Sequence, residues 1–430
     1  MGQRRHRLLA VAAAALLGLV AACGTTAEKT TGPAELTFWT FLDNSAEVGM
    51  WNQDHPDVRV KAEKVPAQDY YAKLQAAVKA GNAPDVALVE YQFVPSMIAC
   101  GCLADLKGKV RDDLGDHFPE WVWNQVAQQG GVYGVPQDIA PMGLFYRTDV
   151  FAQYGLKVPV TWAEYAEQAK KLHEADPEKY LATFATNEAG QWAGLAWQAG
   201  ARWFGTEGDK WTVSMNPPQS RPVAELWQDL VAKKHVKAEP DFSTGWVSDL
   251  TSGTVASWVA PVWAGSYLKG SMAASAGKWA VAPMPQWDPA KPAVGNWGGS
   301  AISVTSGSKH VDAAAGFVQW LNTDQRSVNS LITKSSIFPA DKAGLLDQSF
   351  SKPQEFYGGQ KVYEVFAEAA KQVDPDFAWG PTMTTAFPAF TDEFGKVANG
   401  EQTVSQALDR LQQRTVEDMG KQGFQVRTSP

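Results

Sequence analysis

Between Gly130 and Tyr146 the chain carries one ionisable carboxylate, Asp138, among glycine, proline and apolar residues. A carboxylate buried without partners is costly and would sooner take up a proton. Asp138 therefore faces water, closes an Asx-type turn, or meets a ligand. Other candidates stand at the ends of apolar runs. Phe41, Asp43 and Asn44 close the first run, and Glu90 and Tyr91 close the run Asp85–Glu90. Helix capping is the competing reading for Asp43 and Asn44, and a solvated strand end is the competing reading for Glu90. Any two such acids could work as a glycosidase pair, but nothing in the sequence selects one. G-x-S-x-G, H-E-x-x-H, P-loop and G-x-G-x-x-G patterns are absent, so no enzyme and no cofactor are expected. The six His are scattered singly, which leaves Cys100 and Cys102 of "ACGCL" without further metal ligands. No metal is expected, and the pair reads as two small, partly buried thiols. A disulfide stays open in an oxidising compartment.

Strands and helices alternate behind these groups. "ELTFWTF" (35–41) reads as a buried strand, "DVRVKAE" (57–63) as a strand near a sheet edge, and "DVALVE" (85–90) as a third strand. Between them, 66–82 reads as a helix with Pro66 in its first turn and Gly81 just past its end. Thr161 and Glu164 form a capping box for a helix burying Trp162, Tyr165, Ala169 and Leu172. Helices are expected over 222–234, 311–322 and 403–419, the last capped by Thr403, and strands over 254–259 and 300–305. Such alternation predicts an α/β fold built on parallel sheets with helices on their faces. Ligands in such sheets sit outside the carboxyl ends of the strands.

The 430 residues exceed one typical core and suggest two lobes. A net charge of -8 without a basic run past the first ten residues makes nucleic acid an unexpected partner. The beginning, "MGQRRHR" followed by "LLAVAAAALLGLVAA", reads as a basic and then a short apolar leader. "LVAAC" resembles the bacterial lipobox, which implies a signal peptide over 1–22, lipidation of Cys23 and a polar tether over 23–34. Removing the leader takes away Arg4, Arg5 and Arg7, so the remaining net charge is -11.

Four stretches follow in order: "PDVALVEYQFVPSMIACGCLADL", "GVYGVPQDIAPMGLFYRTDVFAQYGLKVPVTWAEYAEQAKKL", "NWGGSAISVTSGSKHVDAAAGFVQWLNT" and "ANGEQTVSQALDRLQQ". In order and spacing they resemble the extracellular solute-binding proteins of ABC importers, in the sugar-binding group that includes maltose-binding protein. That resemblance implies the two-lobed periplasmic-binding-protein fold, with a ligand cleft between lobes joined by crossing segments. The crossings fall near 136–142, 297–301 and 350–360. One lobe then comprises 35–138 and 300–350, the other 139–299 and 351–425.

The implied protein is an exported, lipid-anchored monomer on the extracellular face of the membrane. It captures a sugar, expected to be an oligosaccharide, and delivers it to permease subunits. The alternative is a secreted glycosidase or lyase. A pyranose needs an aromatic surface for its C–H face and acceptors for its hydroxyls. Phe41, Asp43, Asn44, Glu90, Tyr91 and Asp138 suit that need. Trp192, the crossing residues Trp297, Gly298 and Gly299, and Trp379 join them, each Trp with core packing as its competing role. Trp263 matches the family's stacking Trp, although Ala-Pro-Val precedes it here in place of a Gly-Pro.

Overall fold

The structure, a computed structural model, describes residues 33–428 apart from residue 209. The expected leader and Cys23 lie outside these residues, as does the tether up to residue 32. Ala34, assigned above to the tether, is the first residue of a strand. Among the described residues no helix is long and apolar enough to cross a membrane.

Ten strands matter for the site. They are β1 Ala34–Thr40, β2 Val58–Lys64, β3 Val86–Glu90, β4 Val135–Asp138, β5 Met142–Arg147, β6 Thr183–Ala185, β7 Lys237–Glu239, β8 Ser257–Pro261, β9 Trp279–Pro283 and β10 Ser300–Val304. The first sheet has the order β2-β1-β3-β10-β4, with β2 at its edge as its alternating pattern predicts. β1, β2 and β3 are parallel, but β10 runs antiparallel to both β3 and β4. The second sheet, β8-β5-β9, is antiparallel throughout, and β6 and β7 form a separate parallel pair. The expectation of purely parallel sheets is thus corrected. The physical cause is the chain path: β10 re-enters the first sheet from its carboxyl end, after the second sheet has been built.

The chain passes from β4 to β5 through 139–141 and returns through 295–299. These two segments are hydrogen-bonded to each other. Met142 N–H donates to Gly295 O and Trp297 N–H to Ala140 O, each at 3.0 Å. Buried Asn296 holds both segments, accepting from Ala140 N–H at 3.0 Å and donating to Gly298 O at 2.9 Å. A third segment flanks them, with Ile139 N–H donating to Phe338 O and Ala340 N–H to Gln137 O.

Helices cover the sheets where the sequence pattern places apolar stripes. Trp162–Ala175 carries the full capping box. Thr161 Oγ1 accepts from Glu164 N–H at 3.1 Å, and Glu164 Oε2 accepts from Thr161 N–H at 3.2 Å. Its buried face is the expected Trp162, Tyr165, Ala169 and Leu172, with Gln168 added. Val404–Lys421 is capped the same way by Thr403 and Gln406. The helix expected from Pro66 begins only at Tyr70, because Asp69 takes a left-handed backbone with φ 58° and cannot continue a helical turn. The helix ends at Gly81 as expected, also left-handed. Cys100 and Cys102 are joined in a disulfide, not left as thiols.

Candidate functional site

Asp138 ends β4 and stands in register with Ser300, the first residue of β10. The Ser300 amide and hydroxyl both donate to Asp138 Oδ1, at 2.9 and 2.5 Å. The lone acid therefore pairs with a serine from the returning strand, and no Asx turn forms. Burial still pushes its carboxyl up to about 6, against the pull of those two bonds. Glu90 ends β3 and is in register with the same Ser300 from the other side. Glu90 and Asp138 are thus cross-strand neighbours two ladders apart, on one face and at one end of the sheet. Glu90 accepts from Tyr71 Oη–H at 2.9 Å and from Gln92 Nε2 at 3.2 Å. Burial, with the Asp138 charge adding, pushes Glu90 up to about 7.

Tyr91 closes this corner. Its amide donates to Gly299 O at 3.1 Å and its hydroxyl to Asp138 O at 2.9 Å. Gly298 and Gly299 have φ +95° and +82°, a region costly for any residue with a Cβ. A Cβ on Gly299 would stand 2.7 Å from Tyr91 Cε2 and 3.0 Å from Asp138 O; one on Gly298 would stand 3.0 Å from Trp263 Nε1. The crossing needs both glycines for conformation and for space.

Trp263 follows the end of β8 and is half-buried. Its Nε1–H donates to Trp297 O at 3.0 Å, and the two rings meet edge to face at 5.1 Å. Trp297 is buried, wedged against the first turn of the helix Ala189–Gln198. A Cβ on Gly190 there would come within 2.5 Å of the Trp297 ring. Phe242 lies 6.3 Å from Trp263, is 36% exposed and has a left-handed backbone of φ 66°.

Other sequence candidates occupy structural positions. Asp43 is exposed and accepts from Ser45 N–H at 3.0 Å, and hydrogen bonding from Ser45 holds its carboxyl below the ordinary range. Asn44 is buried and accepts from Thr40 Oγ1 at 3.1 Å. Phe41 packs edge to face on Tyr70 at 5.6 Å. Trp192 sits in the core with its ring 5.0 Å from Phe394, and Trp379 is sandwiched between Phe377 and Phe387 at 5.1 and 6.2 Å. Their rings are spent on packing, since large aromatic faces fill a core as readily as a site.

Two acids escaped the sequence reading. Glu188 follows β6 and precedes the helix Ala189–Gln198 without capping it. Asp241 follows β7. Burial is the first cause that pushes Glu188 up to about 8, and the charges of Asp241 and Glu90 add to it. Asp241 is 3% exposed and accepts from Thr183 Oγ1 at 3.0 Å, while its Oδ2 has no partner. Burial pushes it up to about 7. The mutual influence of Asp138, Glu90, Glu188 and Asp241 joins acids from the first sheet to acids from the β6–β7 pair. All four stand at or just past the carboxyl ends of strands. The signal in the sequence was the same one that exposed Glu90: an acid just after a short apolar run, here "TFAT" and "KAE".

Acids at strand ends, an aromatic surface at the crossing and two lobes joined by paired segments define a protein that binds ligand in a cleft. The chain belongs to the bacterial extracellular solute-binding protein family, whose model matches residues 36–326. It is 27% identical over 414 residues to a lactose-binding protein from Rhizobium radiobacter, covering 92% of this chain and 94% of that one. Among solved structures it is similar to the galacto-N-biose/lacto-N-biose I-binding protein of an ABC transporter from Bifidobacterium longum, in complex with lacto-N-biose. The TM-score is 0.81 at 27% identity, over 92% of this chain and 99% of that one. It is also similar to an ABC transporter associated binding protein from B. animalis subsp. lactis in complex with β-1,6-galactobiose. There the TM-score is 0.80 at 28% identity, over 91% and 99% of the two chains. The two-lobed periplasmic binding fold expected from the sequence is therefore present.

Proposed function

We propose that this protein captures a sugar, a short oligosaccharide, by closing its lobes, and delivers it to the permease of an ABC importer without turning it over. The observation that carries this reading is the corner built on Ser300. Glu90 and Asp138 flank one residue, and half-buried Trp263 stands beside the same crossing. Carboxylate acceptors next to an aromatic surface are what a pyranose, with its hydroxyl rim and C–H face, can use. The relatives named for lactose, lacto-N-biose and β-1,6-galactobiose support the same ligand class. The lobes divide at 138/139, 299/300 and 350/351, and closure is a hinge motion about the crossings. Glu90, Tyr91, Asp138, Glu188, Trp263, Gly298 and Gly299 line the ligand.

A thermal-shift screen against mono- and oligosaccharides tests the reading. A bound sugar at a hundred times its Kd adds about 2.7 kcal/mol of stability, and no shift with any saccharide would end the proposal. New reducing ends in the same incubations would replace the binding protein with a hydrolase. The lipobox supports anchoring through Cys23, with the body on the outer face of the membrane. Detergent-phase partition should be lost on Cys23→Ser; partition that survives this change removes the anchor.

A further inference from the structure

Glu90, Asp138, Glu188 and Asp241 come together with no cation among them. Neither lysine nor arginine acts on any of the four, and the nearest further charge, Glu239 beside Asp241, is itself an acid that Lys237 already holds at 3.0 Å. Their protein donors are neutral: the Tyr71 hydroxyl and Gln92 amide for Glu90, Ser300 for Asp138 and the Thr183 hydroxyl for Asp241. The Glu188 carboxylate accepts no hydrogen bond from the described residues.

Two buried side chains show what is lacking. Asp241, 3% exposed, leaves Oδ2 without a donor, while its charge reaches Glu188. Gln92, 6% exposed and bonded through its amide nitrogen to Glu90, leaves Oε1 without one. Both unpaired atoms are acceptors. The unmet demand is for donors and for positive charge. A hydroxyl brings one donor and acceptors of its own, whereas an ammonium brings three donors and no acceptor, and its bonds to carboxylates are the stronger, charge-assisted kind. A bare metal ion does not fit, because no three acids, histidines or cysteines gather at chelating distance among the described residues. The acids are spread along the cleft, as suits a charge carried on an extended ligand.

Resting on the sugar-binding reading, we propose that the cleft selects a sugar bearing a free, protonated amine over the same sugar without it. The raised carboxyls agree, since burial and mutual repulsion disfavour their charged forms and a cation beside them reverses both effects.

Calorimetric titration of the full chain at pH 7 with two matched sets tests the proposal. One set is lactose, N-acetyllactosamine and lactosamine with its amine free. The other is cellobiose, N,N′-diacetylchitobiose and chitobiose with its amines free. In at least one set the free amine should bind roughly tenfold tighter or more than its neutral counterparts. That ratio should shrink towards one in Glu188→Gln or in Asp241→Asn. Neutral sugars that bind as well as or better than their amines overturn the inference and leave the sugar-binding reading standing. Binding by no member of either set overturns both. An amine preference unchanged in both variants removes the acids from the explanation and overturns the assignment.

Discussion

Asp138→Asn should give a protein that is more stable without ligand at pH 8 and a poorer binder. Asn keeps a carbonyl oxygen for the two Ser300 donors, so the pairing of β4 with β10 survives. What disappears is the buried charge. The carboxyl rises from its ordinary 3.8 to about 6, which favours the neutral form in the fold by about 3 kcal/mol. Between those values the native chain holds a proton that the unfolded chain has lost, so stability falls as pH rises and levels off above about 6. Asn carries no such cost. Its advantage should approach about 3 kcal/mol at pH 8 and fade towards zero by pH 4. Urea denaturation of both ligand-free proteins at the two pH values measures it. The variant should also lose about 1.5–3 kcal/mol of sugar affinity, because a charged hydrogen-bond acceptor has gone. A variant less stable at pH 8, or one with the same gain at both pH values, refutes the account of Asp138 as a buried charge held ready for a ligand.

Gly299→Ala should destabilise the fold by about 1–3 kcal/mol, through a left-handed backbone and a Cβ thrust onto Tyr91. A denaturation midpoint equal to that of the parent would contradict it. Trp263→Ala should weaken sugar binding by about 2 kcal/mol, whereas Trp192→Phe should leave Kd within about threefold because that ring is core. Titration calorimetry separates the two. Thr161→Ala removes one partner of a capping box and should cost about 1 kcal/mol of stability with sugar affinity unchanged; chemical denaturation and titration check both halves.

Local rules were legible wherever a few adjacent residues decide the outcome. The capping boxes at Thr161 and Thr403, the left-handed end at Gly81 and the edge strand β2 all rest on nearest neighbours. The helix start at Pro66 failed for the same reason: Asp69 leaves the helical region, and nothing in its neighbours announces this. Within the site, the suspicion about Asp138 came from its isolation, but its partner Ser300 lies 162 residues away, beyond any spacing rule. Glu188 and Asp241 were hidden because β6 and β7 are three residues each, too short to show a period. The tryptophans were ambiguous for a different reason. Core and cleft make the same demand for aromatic area, so Trp192, Trp263, Trp297 and Trp379 could be sorted only by their neighbours in space.

The position of β10 also dictates the order in which a growing chain can complete its parts. This strand separates β3 from β4, yet it is made after every strand of the second sheet. The lobe that begins first is therefore the one that closes last. Pairing Val86 with Val304 closes a loop of roughly 200 residues, and such non-local contacts form slowly. Until Val304 has emerged, β3 and β4 each keep an open edge that another chain could pair with.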